Sequence, residues 1–548
     1  MKYQETQHDL LVIAGFVLLA FFGCLTFLRV GGIYVSPDET ANAYFSQLFA
    51  ESGALSSFDP LNSDLDGALF PRSAVVLAGR LVPGGFIGLP VVFGFLVAVL
   101  GTWSLTFLTP ILAAAAVFAW YAIIRRVFDR EIGLVSAILL SIHPAWWYYS
   151  ARSLMPNVPF VAFLIFAGYF LIIRPFRSRR FAYLDFVLSG ACVSLALSFR
   201  TSEAVWIALA VLAGAIAYGR IRISWSRVVF FVAGLTIAIL PIALINQATY
   251  GSPFASGYTV SVADVSTEIS PAVQESPTAF LSFGTDLSHV FFPFGLSYKD
   301  IGKNVLAYGA GLFWWMTLLV VIGFPLAFPA RSLARELHPA RRAYLAFTLV
   351  ACAYLAAMYG AWTFFDNPDP MQVTIGNSHI RYWMPVFVLL IPFAAFAIRW
   401  LSRRSLTETG RRLTVVSLVL ICACLSVRTA FFSSEDSLAN AAVGLETSRD
   451  VRDRVLALTE PDAVIVVDRA DKLFFPYRRV RYPLRDETTY ALMPRILLRA
   501  PLYYYGITLP PPDLDYLNVE KLKGLGLRID LVETFGIETL YRMTREEN

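Results

Sequence analysis

Cysteine is scarce in this 548-residue chain, and the five present, Cys24, Cys192, Cys352, Cys422 and Cys424, all lie in apolar segments. No Cys-x-x-Cys occurs, which excludes a disulfide framework and a cysteine zinc site. Charge is scarce as well. Asp, Glu, Lys and Arg make up 16% of the residues, where a soluble chain carries about 25%. The chain shows no internal repeat and no low-complexity tract, and Gly524-Leu-Gly526 lacks the rest of a dinucleotide fingerprint.

Apolar residues fill that space. They account for 57% of the chain, with a mean hydropathy of +0.60. Apolar windows recur at about 20 residues, the length that crosses a hydrocarbon core. The first, 10–30, has little polar sequence before it and no small-residue cleavage site after it, so it reads as a retained span. Further spans read at 104–124, 131–149, 157–173, 184–199, 203–219, 228–246, 304–328, 343–364, 382–400 and 413–431, about eleven in all. The stretch 86–100 is apolar but short and carries Gly88, Pro90 and Gly94. It spans or lies in the interface, and the second is preferred.

Basic clusters at Arg125-Arg126, 174–180, 220–227, 331–342 and 399–412 fall on one side of this frame, the cytoplasmic side by the positive-inside trend. The outer face then receives loops 31–103 and 247–303 and the tail after 433. The expected fold is an all-α polytopic membrane protein over 1–433 with a small extracytoplasmic α/β domain over 434–548. In that tail, 449–458 reads as helix and the β-branched run 463–467 as a strand ending at Asp468.

The strongest local signal is Tyr34-Val-Ser-Pro-Asp38-Glu39-Thr40-Ala-Asn42, two carboxylates just after the first span. Ser36, Pro37 and Glu39 spell a capping box, with Glu39 reaching back to the cap. The box does not need Asp38, which leaves that carboxylate for chemistry. An acceptor hydroxyl is a poor nucleophile until a base takes its proton. One carboxylate suffices for inversion when an activated donor supplies the leaving group. A departing phosphate needs cationic or amide donors. Arg152, Arg200, Lys299, His379 and Arg381 collect on the outer side, against the positive-inside trend. Anchoring to lipid headgroups accounts for any one of them alone; the set weakens that explanation. Arg381 precedes Tyr382 and Trp383, aromatics that anchor a helix at the interface.

Four pieces of sequence then carry a resemblance. They are Ser36-Pro-Asp-Glu39, Arg152-Ser-Leu-Met-Pro-Asn157, Asn246 with Tyr250-Gly-Ser-Pro253 and Ser256-Gly-Tyr258, and Arg381-Tyr-Trp-Met-Pro385. In this order over 1–430 the chain resembles the C-type membrane glycosyltransferases, near protein O-mannosyltransferases and the aminoarabinose transferases. The resemblance implies a polyprenyl-phosphate sugar as donor, a glycan, lipid or protein acceptor of the cell envelope, and work on the extracytoplasmic face of a plasma or inner membrane. It makes Asp38, with Glu39 beside it, the catalytic carboxylate. With the outer-face cations Arg200, Lys299 and His379, the matched residues Arg152, Asn157, Tyr258, Arg381 and Tyr382 make up the expected substrate-binding set. Relatives carry a second carboxylate where this chain has Asn157, a weak metal ligand and no base, so a divalent metal stays open and no metal residue is named. Membrane lipid is an expected partner and nucleic acid is not. The rival readings are a polytopic transporter and a catalytically silent relative that binds glycolipid. Transporters place ionisable groups at mid-membrane, whereas Asp185 and Glu203 lie near span ends.

Overall fold

The computed structural model describes residues 2–27, 32–172, 182–219, 224–260, 291–328, 338–364, 366 and 372–546. The basic residues of 174–180, 220–223 and 331–337, and the middle of the long loop at 261–290, lie outside them. Two compact units emerge. One comprises Met1–Arg29, Trp103–Leu244 and Pro271–Ala441; the other comprises Val30–Thr102, Ile245–Ser270 and Ala442–Asn548.

Helices fill the first unit because its apolar runs can satisfy their backbone in lipid only by internal hydrogen bonds. Among the described residues seven helices are long and apolar enough to cross a membrane: Glu5–Cys24, Thr102–Val127, Thr201–Tyr218, Trp225–Tyr250, Pro339–Gly360, Met384–Ser402 and Glu408–Phe432. The apolar pair Tyr298–Gly311 and Trp314–Leu326 is bent by 96°, as a broken span or a re-entrant loop is, and counted as one span it would be an eighth. Three of the eleven expected spans differ for visible reasons. The segment 131–149 divides into Arg130–Ser141 and Pro144–Ala151, because Pro144 has no N–H to continue a helix and His143 before it is extended. The helices Asn157–Ile172 and Ala182–Phe199 both stop at the undescribed segment 173–181. Gly88–Leu100 is a helix of 13 residues, below spanning length.

At one end of this unit the basic clusters meet. Arg399 donates to Asp129 at 2.6 Å, and Arg341 donates to the carbonyls of Val127 and Phe128. Arg130 forks onto the buried Asp9 at 2.7 and 2.8 Å, and Tyr121 donates to the same carboxylate. Buried as it is, the Asp9 carboxylate needs such partners.

The second unit holds two sheets. Strands β1 (Ser57–Phe58), β2 (Ala74–Leu77) and β3 (Arg80–Pro83) form an antiparallel ribbon in the order β1-β3-β2, with Val75 opposite Val82. The tail gives β4 (Val464–Val467), β5 (Arg479–Arg481), β6 (Leu502–Ile507), β7 (Leu527–Phe535) and β8 (Glu538–Arg545), ordered β5-β4-β6-β8-β7. β4 runs parallel to β5 and β6, while β8 runs antiparallel to β6 and β7. All four residues of β4 are buried, as a central parallel strand covered on both faces requires.

Leu65 and Leu69 from the first loop belong to the core of this tail sheet, with Val464, Val466, Leu502 and Tyr504. Each such side chain contributes about 1.5–3 kcal/mol on burial. Asn62 shapes the loop for it, donating to the carbonyl of Leu69 and accepting from its N–H, both at 2.7 Å. Acidic residues of the loop pair with the tail: Asp59 with Arg479, Asp64 with Arg499 and Asp66 with Arg495. The loop 245–260 is pinned to the ribbon, where Tyr250 donates to the carbonyl of Pro83 at 2.8 Å and the Gly257 N–H to that of Gly85. A side chain at position 257 would sit 2.3 Å from the Pro83 carbonyl, so only glycine fits.

Candidate functional site

In the second unit, Ser36 starts the helix Pro37–Ser52 with the expected capping box. Its hydroxyl accepts from the Glu39 N–H at 3.3 Å, and the Glu39 carboxylate accepts from the Ser36 N–H at 3.1 Å. Glu39 also accepts from the Ser36 hydroxyl at 3.0 Å and is buried. Its carboxylate is therefore spent on the cap. Asp38, outside the box, accepts a hydrogen bond from the Ser73 hydroxyl at 2.5 Å. Burial, with the charges of Glu39 and Tyr477 beside it, pushes the Tyr34 phenol up to about 12, so it stays a neutral donor. Tyr258 packs its ring edge-on against Phe86 at 5.0 Å, over Gly85.

The first unit gathers six more of the expected residues. Arg200 lies in the turn before Thr201–Tyr218, and its guanidinium grips Glu203 with Nε at 2.9 Å and Nη2 at 2.6 Å. Glu203 is 1% exposed and also accepts from Tyr359 at 2.6 Å and from the Trp206 indole at 2.5 Å. The Tyr382 ring lies 4.5 Å from the Arg200 guanidinium and stacks on Tyr359 at 4.6 Å. Arg381 points its Nη1 to the Met155 sulfur at 3.6 Å and lies over the Tyr382 ring. Its carbonyl accepts from Asn157 Nδ2 at 3.1 Å, while the buried Oδ1 of Asn157 has no hydrogen-bond partner among the described residues. Arg152 sits over the rings of Tyr148 and Tyr149, and the Tyr149 hydroxyl donates to the carbonyls of Gly376 and Asn377.

His379 is 1% exposed, held by Asn377 at 2.8 Å and by the Trp362 carbonyl at 3.0 Å, and it stacks on Tyr308 at 4.7 Å. An open cavity of about 340 Å³ is lined by His379, Tyr308, Phe364, Thr363, Asn304 and Lys303. Lys299 is exposed on the short helix Tyr298–Asn304.

The Arg200 charge is balanced by Glu203, and pairs this buried need such compensation. Arg152 and Arg381 also lie over aromatic rings, with the Met155 sulfur beside Arg381. No group of three or more His, Cys, Asp and Glu able to hold a metal occurs among the described residues. Sequence reasoning missed Ser73, Arg72 and Asp471 in one unit, and in the other Asp436, whose carboxylate accepts from the Gly376 N–H at 2.7 Å. None of these carries a local motif.

Residues 91–245 match the dolichyl-phosphate-mannose-protein mannosyltransferase family. Among solved structures the chain is similar to ArnT from Cupriavidus metallidurans bound to undecaprenyl phosphate, at 12% identity and a TM-score of 0.59 over 97% of both chains. The apo state of that protein matches at 12% identity and a TM-score of 0.55 over 98% of both. No curated protein sequence matches the chain. The expected helical fold with a small α/β tail is borne out, and the likeness to ArnT covers the tail as well, which lies outside the sequence resemblance over 1–430. The chain is an integral membrane protein with this fold.

Proposed function

We propose that this protein is a glycosyltransferase that moves a sugar from a polyprenyl-phosphate carrier to an acceptor hydroxyl on the extracytoplasmic face. The family match over 91–245 carries the reaction class. The side chains support it. The Asp38 carboxylate takes the proton of the acceptor hydroxyl. The acceptor oxygen bonds to the anomeric carbon, and the bond from that carbon to the carrier phosphate breaks with inversion. The phosphate leaves with both bonding electrons and needs a cation. Arg381 is assigned to it, because a guanidinium holds two phosphate oxygens in a planar fork. Arg152 and Lys303 add positive charge in the same unit, and Tyr308 stacked on His379 offers an aromatic wall to the sugar. The sidedness follows from the basic clusters: a cysteine placed at position 57 is expected to react with an impermeant thiol reagent on intact cells. Protection there would reverse the orientation.

The experiment is transfer from labelled polyprenyl-phosphate sugars, mannose, arabinose and aminoarabinose among them, by the protein in nanodiscs. Arg381→Lys is expected to lower turnover at least about tenfold, because an ammonium cannot replace the fork of charge-assisted bonds. If Arg381 only anchors its helix, lysine serves as well, and near-normal turnover and donor affinity in folded Arg381→Lys would remove it from the site. Turnover with none of the donors, alongside vectorial movement of a solute, would favour the transporter.

A further inference from the structure

In open α/β sheets ligands bind beyond the carboxyl ends of the parallel strands, where neighbouring connections run to opposite sides. In the tail sheet the chain passes from β4 to β5 on one flank and later from β6 toward β8 on the other, so this place lies at the ends of β4 and β6. The first loop of the same unit fills it. Arg481, the last residue of β5, donates to the carbonyl of Ala68 at 3.1 Å. Asp471, fully buried at the start of the short helix Asp471–Phe474, holds Arg72 three times. It accepts the Arg72 backbone N–H at 2.8 Å, Nε at 2.8 Å and Nη2 at 2.6 Å. Nη2 also donates to the carbonyl of Arg469 at 2.6 Å. Backbone and side chain of residue 72 are thereby fixed together.

The next residue is Ser73, the donor to Asp38. Its φ of +65° lies in the left-handed region, which a serine adopts only where its surroundings impose it. Arg72 imposes it on one side, and the Gly84 N–H, donating to the Ser73 carbonyl at 2.9 Å, imposes it on the other. The same short helix grips the far side of the capping box. Lys472 donates to the carbonyl of Val35 at 2.6 Å, and Phe475 packs edge-on against Tyr44 at 4.8 Å.

We infer that the tail sheet orients the Asp38 carboxylate through the chain Asp471–Arg72–Ser73–Asp38, and that Asp471, Arg72 and Ser73 are positioning residues for it. The sheet has exchanged an external ligand for the loop of its own chain. This rests on the reading of Asp38 as the proton acceptor. A hydroxyl donated to a carboxylate fixes its rotamer, so losing the donor blurs its aim. Charged or titratable groups around this helix start include Tyr34, Glu39, Arg72, Asp471, Lys472 and Tyr477, with Arg452 over the Tyr477 ring. Ser73→Ala alters none of them.

The test uses full-length protein in nanodiscs with two readouts. One is the rate of carbodiimide modification of Asp38 at a single fixed pH, read by peptide mass spectrometry, which needs no activity. The other is sugar transfer from the labelled donors. Ser73→Ala and Asp471→Asn are each expected to raise the modification rate, because they release the carboxylate from its contact. They are expected to lower turnover on the order of tenfold to a hundredfold, with donor KM within about twofold. The double variant should lose no more than the worse single one, since both act through one contact. An unchanged modification rate in folded Ser73→Ala overturns the proposal, and so does fully additive loss. If Asp471→Asn fails to fold, Ser73→Ala with Arg72→Lys decides the same question. A raised modification rate while Asp38→Asn keeps full turnover supports the contact chain and sinks Asp38 as the base, so the two failures are told apart.

Discussion

Asp38→Asn is expected to fold as the wild type does and to lose transfer by a factor on the order of 10²–10⁴, the usual contribution of a general base. The substitution is nearly isosteric. The asparagine oxygen still accepts from Ser73, and the capping box, made by Ser36 and Glu39, does not involve position 38. Fold and base are therefore separable here. Glu39→Gln should be far milder, because glutamine also completes a capping box. Transfer rates with melting temperatures for both variants check this. Wild-type turnover in Asp38→Asn would remove the proposed base, and a collapse of stability would assign Asp38 to the fold.

The second large effect belongs to Glu203. Replacing it by glutamine leaves the Arg200 guanidinium buried beside a neutral amide. Losing one partner of such a pair costs about 3–5 kcal/mol. Arg200, Tyr359 and Trp206 all point at this carboxylate, so the loss spreads to the turn before Thr201–Tyr218 and to the Tyr359–Tyr382 stack. Thermal inactivation in detergent should fall well below wild type for Glu203→Gln. A joint Arg200→Met and Glu203→Leu replacement should recover much of the loss, because no charge is then left unpaired. If the double variant recovers stability and keeps turnover, Arg200 is a pillar of the helix ends. If it recovers stability and loses turnover, Arg200 also serves the donor.

The sequence made the apolar frame, the capping box and the tail strand Val464–Val467 readable, because each is a local pattern: windows near 20 residues, a four-residue box, a β-branched run. The gathering of Arg152, Asn157, Arg381 and Tyr382 was foreshadowed by their common face. What escaped was pairing at long range. Nothing near Arg200 says that Glu203 takes its charge while Arg381 meets rings and a sulfur, since that depends on Tyr359 and Met155 from other helices. Nothing near Asp38 points to Ser73, whose left-handed backbone is set by a residue 399 positions beyond Arg72. The breaks at His143 and at the 96° bend were half visible, in Pro144 and in Gly309 and Gly311, but proline and glycine permit a break without stating its angle.

The separation of Arg72 from Asp471 also sets a clock. Chains leave the ribosome at about 5–20 residues per second, so the 399 residues between them take roughly 20–80 s to appear. For that interval the first loop, with Leu65 and Leu69 destined for a core not yet made, has no tail sheet to enter. Ser73 then lacks the Arg72–Asp471 anchor on one side and keeps the Gly84 contact on the other. The carboxylate next to the first span is synthesised among the earliest residues and brought to its final aim by the last ones. Insertion of the spans thus comes before the reactive group is armed, and a nascent chain that stalls before Ala463 carries Asp38 without the sheet that orients it.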